Sequence, residues 1–339
     1  MLYLAISTFV VSLLITALVR KYAYQLRLTR EPNHRSSHTK ITPHGGGLGI
    51  VAGTIFFTLW LFFQNNVQYW VYGFTSVLAI LIAAKGLIDD IYHLAPKIRL
   101  LIQIIASCSL VVIIQSIPIP GFEPILNLPM PLTIGFILFA SLWWLNLFNF
   151  MDGIDGLAAC QAIFMLLSAA LLIALKSPEL VNLTLWQWII YLAIAVLGFL
   201  TYNWPPAKIF MGDVGSSFLA FMLLVIALTT ISLHWMNYAT WAILGTLFIS
   251  DASITLLRRM LTGQNWLEAH RTHAYQRLAR RWQSHKRVTL SFITINLIWS
   301  LPLAYVSLNY PDSSWLFLLI AYLPIITLVI LLGAGRPEN

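Results

Sequence analysis

Apolar residues in this chain run almost without interruption for about 20 positions at a time, then give way to short clusters of Gly, Pro and charge. Runs of that length match the helix needed to cross a bilayer core. They predict eleven spans, at about 2–19, 46–63, 69–87, 98–116, 131–148, 157–175, 185–201, 215–233, 239–257, 288–307 and 314–333. Gly and Pro inside or beside several runs fit a bilayer helix, where both are tolerated. Met1 to Val19 has no basic flank ahead of it and is followed by Arg20 and Lys21. It is therefore expected to be a retained first span entering from outside, not a cleaved leader.

Composition agrees: 59% of the 339 residues are hydrophobic and 9% charged, against about 25% charged in soluble domains. An ordinary cytosolic domain, a disordered chain and a fibrous protein are excluded. Cys108 and Cys160 lie far apart in apolar runs, with neither a disulfide framework nor zinc-type spacing. The net charge of +8 does not indicate nucleic acid, because Lys and Arg fall into membrane-flanking clusters. Alternate loops 20–45, 85–99, 202–214, 258–287 and 334–339 hold 6, 3, 1, 8 and 1 of them, or 19 of the 20, leaving only Lys176 on the other side. The positive-inside rule then sets the N-terminus outside and the C-terminus in the cytosol. Of the twelve acidic residues only Glu123, Glu179 and Asp312 fall outside.

The expectation is an all-α integral membrane protein of about eleven transmembrane helices. It reads as one polytopic domain over 1–339, without internal repeats. Cytosolic active-site loops are expected at about 20–45, 85–99, 149–156, 202–214 and 258–287. Within 258–287, a short amphipathic helix is expected in the headgroup region, anchored to anionic lipid by Arg258, Arg259, Arg280, Arg281, Lys286 and Arg287.

Five clusters on the predicted inner side carry chemistry. In the first, Asp89 and Asp90 end one apolar run, and Lys97 and Arg99 open the next; carboxylates at a membrane boundary are costly and usually functional. In the second, Asn146, Asn149 and Asp152 are spaced by three, which a continuing helix brings to one side, and Gly153, Asp155 and Gly156 follow. These amides and carboxylates offer oxygen ligands to a hard cation such as Mg²⁺. In the third, Asp213 opens a span among Gly212, Gly215 and Ser216, a favourable phosphate seat, while Phe210 offers a flat face to a base. The fourth, His270-Arg271-Thr272-His273, lacks the further ligands of a zinc site and suits an anion clamp. The fifth, Arg35 to Gly47 with His38, Lys40 and His44, suits a cationic lid over an anionic substrate. Asp251 is expected either to pair with Arg258 or Arg259 or to join the site. This inventory suits magnesium-assisted phosphoryl transfer, and no Walker or kinase motif points to ATP.

Gly86-Leu-Ile-Asp89-Asp90, Asn149-Phe-Met-Asp152-Gly-Ile-Asp155-Gly, Phe210-Met-Gly-Asp213-Val-Gly-Ser and His270-Arg-Thr-His273 resemble, in order, the polyprenyl-phosphate N-acetylhexosamine-1-phosphate transferases (glycosyltransferase family 4). The likeness spans roughly 30–290 and is nearer to the O-antigen-initiating branch than to the related phospho-N-acetylmuramoyl-pentapeptide transferases, which carry a longer histidine run. His44 departs from the pattern, standing where relatives often have Arg. The resemblance implies transfer of sugar-1-phosphate from a UDP-N-acetylated sugar to undecaprenyl phosphate at the bacterial inner membrane. UMP is released with Mg²⁺, for which Mn²⁺ substitutes, and a homodimer is compatible with it. It further implies Asp213 and Asn149 as metal ligands and Asp89 and Asp90 beside the lipid phosphate. Asp155 and Phe210 fall by uracil, and Arg99, His270 and Arg271 on the pyrophosphate. Asn146, Asp152, His273 and Lys40 complete the expected substrate contacts.

A phosphate monoester has its second pKa at about 6, so the lipid phosphate is mostly a dianion at neutral pH. Direct attack on the β-phosphorus is therefore expected, with Asp89 or Asp90 orienting the nucleophile. The rival is a phospho-aspartate at Asp213. A transporter of lipid or anionic solute is the alternative class, but transporters keep their charges near the midplane on repeated, broken helices.

Overall fold

A computed structural model describes residues 2–30, 42–64, 69–115, 130–265 and 270–337. Within them all eleven apolar runs are helical. The helices are α1 (Leu2–Tyr22), α2 (Gly47–Gln64), α3 (Tyr69–Tyr92), α4 (Pro96–Gln115), α5 (Met130–Phe150), α6 (Leu157–Lys176), α7 (Thr184–Asn203), α8 (Gly212–Ser232), α9 (Tyr238–Leu244), α10 (Thr246–Leu261), α11 (Ala274–Trp282), α12 (His285–Ile295), α13 (Leu301–Asn309) and α14 (Ser314–Leu331). The one strand pairing among the described residues joins β1 (Thr29–Arg30) to β2 (Thr42–Pro43), two residues each. Among the described residues eight helical stretches are long and apolar enough to cross a membrane, and α9 with α10 makes a ninth if the bent pair is one span. The chain is an all-α membrane protein.

Two of the expected spans are not regular. The run 239–257 breaks at Gly245 into α9 and α10, bent by 77°. Gly is a poor helix former, and the Thr246 hydroxyl bonds back to the Ile243 carbonyl at 2.6 Å. The run 288–307 carries a π-helical turn, Asn296–Ser300, just ahead of Pro302, whose ring cannot sit in a tight helical ladder. One side chain serves both breaks. Gln161 of α6 donates to the Leu244 carbonyl at 2.9 Å and accepts from the Asn296 amide at 2.7 Å. Irregular backbone at membrane depth persists only where such partners re-satisfy it.

The core is built around α8, in which every residue from Val214 to Ile226 is buried. Its N-terminal end is approached closely by two backbones. Gly86 of α3 lies on Asp213 and Val214, and Gly47 of α2 lies on Gly215; a Cβ at either glycine would run into main chain. Small residues permit this approach, and it brings the ends of α3 and α8 together.

The expected lipid-anchoring arginines are partly used inside the protein. Arg258 donates to the Ala334 carbonyl at 2.7 Å. Arg259 is buried against Gln264 and Asn265, and Arg280 donates to the Arg271 carbonyl at 2.9 Å.

Candidate active site

Three helix ends meet: the last turn of α3, the last turn of α5 and the first turn of α8. From α3, Asp90 accepts the Asp213 N–H at 2.9 Å on one oxygen and the Val214 N–H at 3.0 Å on the other. These are orphan donors at a positive helix end, which a carboxylate satisfies well. His44 is buried behind, its Nε2 3.3 Å from the Asp90 carbonyl oxygen and 3.9 Å from its carboxylate. His44 thus lies beneath the site, not in a lid.

The Asp213 carboxylate itself projects outward, 32% exposed. The Asn149 amide of α5 donates to it at 2.8 Å and to the Ser216 hydroxyl at 2.9 Å. Arg99 of α4 reaches over both acids, 3.2 Å from Asp89 and 4.0 Å from Asp213. Asp89 is nearly closed off and accepts the Leu94 N–H at 2.8 Å. It stands beyond the apolar run of α3. Burial, followed by the adjacent Asp213 carboxylate, pushes its carboxyl up, while Arg99 and the Leu94 amide work against that rise. One turn earlier, buried Lys85 donates to the Ser217 hydroxyl at 3.1 Å. Sequence reasoning counted Lys85 only as a topology signal. Its spacing of four before Asp89, inside an apolar run, was the available clue.

Asp213 and Asn149, in contact at an accessible edge, are the residues placed to take a cation. Among the described residues no group of three or more His, Cys, Asp or Glu could hold a metal ion. One carboxylate at an accessible edge is a donor that Mg²⁺, which keeps several waters and takes one or two carboxylates beside substrate phosphates, could use. The Asn149 amide turns its nitrogen to Asp213, so ligation through its oxygen requires that amide to rotate.

Asn146 stands back from this centre, donating to Gln103 of α4 at 3.1 Å and to Leu142 at 2.7 Å. Helix α5 ends at Phe150, so the expected single face of Asn146, Asn149 and Asp152 is cut before its last member. Asp152 follows in the turn, its N–H on the Asn149 carbonyl at 3.2 Å. Buried Tyr275 of α11 wedges here, its hydroxyl on the Phe150 carbonyl at 2.8 Å and against Gly153, where a Cβ would collide with it.

Asp155 belongs to a second pocket of about 520 Å³, lined also by Arg271, Arg280, His285, Lys286 and Pro205. Its carboxylate accepts the Ala207 N–H at 3.0 Å and pairs with His285 at 3.2 Å; His285 was not anticipated. Phe210 is instead held by main chain, its N–H on Pro43 and its carbonyl on Gly46, each at 2.9 Å. Such backbone pairing, with the Gly47 N–H on the Met211 carbonyl at 2.9 Å as well, joins residues 43–47 of the fifth cluster to the third, but Lys40 lies outside the described residues.

In the fourth motif the two histidines differ. His273 is buried at the start of α11, its Nδ1 3.4 Å from Asp251. Asp251 caps α11, accepting the Ala274 and Tyr275 N–H groups at 2.8 and 2.9 Å. It therefore pairs with neither Arg258 nor Arg259. His270 packs on the His273 ring with centroids 5.0 Å apart. Burial, and then neighbouring His273 and Arg259, push its pKa down to about 3, against the pull of Asp251. Arg271 of this motif stands at the wall of the second pocket.

A family model described as glycosyl transferase family 4 matches residues 70–231. A Bacillus subtilis protein described as a probable undecaprenyl-phosphate N-acetylglucosaminyl 1-phosphate transferase is 30% identical, over 95% of this chain and 90% of its own length. The chain belongs to glycosyl transferase family 4. Further relatives include an undecaprenyl-phosphate alpha-N-acetylglucosaminyl 1-phosphate transferase of Thermotoga maritima, 26% identical over 81% of this chain and 82% of that one. A phospho-N-acetylmuramoyl-pentapeptide-transferase of Streptococcus thermophilus is 30% identical over 63% and 64%. The family match takes in the Asp89, Asn149 and Asp213 centre and ends before His270.

Proposed function

We propose that this family 4 protein transfers N-acetylhexosamine-1-phosphate from a UDP-sugar to undecaprenyl phosphate, releasing UMP and forming the first lipid-linked intermediate of O-antigen or another envelope polysaccharide. The observation that carries the reading is the meeting of Asp213 and Asn149 at 2.8 Å with Arg99 spanning Asp213 and Asp89. That arrangement suits a dianionic acceptor and a diphosphate donor brought together over one cation. Relatives named for undecaprenyl-phosphate substrates support the acceptor. We further read the chain as a single domain in the bacterial inner membrane with its site on the cytosolic face, which the 19-to-1 basic split supports.

Asp213 and Asn149 would hold Mg²⁺. When bound there, it would supply charge neutralisation to the phosphates. Arg99 draws the acceptor phosphate toward the acids. Asp89, closed from water with its carboxyl pushed up, holds or removes the residual proton of that phosphate. Asp90 acts at one remove, fixing the backbone from which Asp213 projects. Arg271 and His270 address the donor diphosphate, and the Asp155 pocket receives the donor's remaining groups. Incubating membranes that contain the protein with several UDP-N-acetylsugars and undecaprenyl phosphate, then identifying the product lipid, tests this. Failure of every UDP-sugar to give a lipid-linked sugar phosphate and UMP would remove the reading.

A further inference from the structure

The loop that carries His270 and Arg271 is fastened from an unexpected direction. After α14 the chain turns back beneath it. The Gly335 N–H donates to the Thr272 carbonyl at 2.9 Å, between Arg271 and His273. Three long side chains then grip the same turn by its backbone oxygens. Arg258 of α10 donates to Ala334 at 2.7 Å, Gln264 to Gly335 at 3.1 Å, and Arg277 of α11 to Arg336 at 2.7 Å. Ala334 is fully buried. Gly333 and Gly335 adopt φ of +80° and +74°, a left-handed backbone that glycine takes without strain. A Cβ on Gly335 would lie 2.7 Å from the Thr255 carbonyl oxygen and 2.9 Å from the Arg258 Cβ.

Two arginines directed at main-chain carbonyls tie the turn to α10 and α11, and the Gly335 N–H ties it to Thr272. We infer that the 333–336 turn is a positioning element for donor binding: through Gly335 and Thr272 it sets where His270 and Arg271 stand. The inference rests on the reading of His270 and Arg271 as groups that address the donor diphosphate. The acceptor side of the site, at Asp89 and Arg99, belongs to α3 and α4 and makes no use of this turn. The turn should therefore affect one substrate and not the other.

The test uses the full chain in detergent or nanodiscs. Gly335→Val forces the turn off its path, and Arg258→Met removes one grip without touching the turn's own residues. Arg336→Ala is the control, since only its backbone carbonyl is used. Hydrogen exchange across 270–277 is read without any substrate, and KM is measured separately for UDP-sugar and for undecaprenyl phosphate. The first two variants should exchange faster in that segment and raise donor KM about three- to tenfold, the scale of one or two lost hydrogen bonds. Acceptor KM and kcat should stay within about twofold, and the control should match wild type. If Gly335→Val does not fold, Arg258→Met decides. Faster exchange with unchanged donor KM, or equal rises in both KM values, would overturn the inference. A wild-type protein inactive with all UDP-sugars would instead overturn the proposed function, while the exchange measurement still reports on the turn.

Discussion

Asp90 holds Asp213 by its backbone, not by its side chain: the two Asp90 oxygens take the N–H groups of Asp213 and Val214 at 2.9 and 3.0 Å. The Asp213 carboxylate is left to Asn149, Arg99, the neighbouring Asp89 carboxyl and solvent. Adjacent Asp89 and Asp90 therefore do different work.

That division is measurable. Asp90→Ala orphans two N–H groups at the start of α8 and should lower stability by about 1–3 kcal/mol, with turnover lost alongside. Asp89→Asn should keep the melting temperature of the wild type and lose about 100-fold or more in turnover, the scale of a positioned acid or base. Thermal unfolding in detergent, followed beside a UMP-release assay, separates the two. Equal destabilisation by both changes would show that Asp89 is structural as well.

Metal dependence should reside in Asp213 and Asn149. Asp213→Asn should cut turnover by about 10³-fold, the scale of several kcal/mol of charge stabilisation, and abolish any Mg²⁺-induced rise in melting temperature. Asn149→Ala should demand more Mg²⁺ for half-maximal rate while remaining folded. Chelation should stop the wild-type reaction, and added Mg²⁺ should restore it. An Asp213→Asn protein with most of the wild-type rate would take this residue out of the site.

His270 gives a pH signature. Its folded pKa of about 3 lies below the ordinary 6.5, so the folded state favours the neutral ring. The stability this contributes is complete above about pH 6.5 and is lost as pH falls toward 3. Between about pH 7.5 and about pH 5 the wild-type melting temperature should drop more than that of His270→Gln, which has nothing to titrate there. Parallel drops would place the ring in a more polar setting than the structure gives it.

Orientation is tested by single cysteines in a Cys-less chain. Ser284, on the basic side, should be shielded from an impermeant reagent on intact cells when replaced by Cys, and Asn309→Cys should label. The opposite pattern would reverse the assignment.

Direct attack and a phospho-aspartate differ without the acceptor. A covalent route releases UMP and exchanges labelled UMP into UDP-sugar from the donor alone; direct attack does neither. No exchange is expected in enzyme shown by lipid analysis to carry no undecaprenyl phosphate. Robust exchange there, lost in Asp213→Asn, would overturn direct attack.

The all-α membrane class was legible in the sequence because burial in lipid demands long apolar runs, and these need no tertiary information. The chemical inventory was legible for a related reason. Asp89, Asn149 and Asp213 are polar groups at the ends of apolar runs, where they are costly unless used. Which partner each one meets was decided only by the fold. In the sequence Asp90 reads as a neighbour of the lipid phosphate and Asp251 as a partner of Arg258 or Arg259 or a site group, yet each caps a helix from another part of the chain. Lys85 and Arg258 count as topology signals until packing turns one to Ser217 and the other to Ala334. The bend at Gly245 and the π turn at Asn296 depend on Gln161, more than eighty positions from either. Hydropathy is a property of neighbours along the chain and sets where helices lie. Hydrogen-bond partners are chosen among groups that only packing brings within 3 Å, so the roles of these residues came from the tertiary structure.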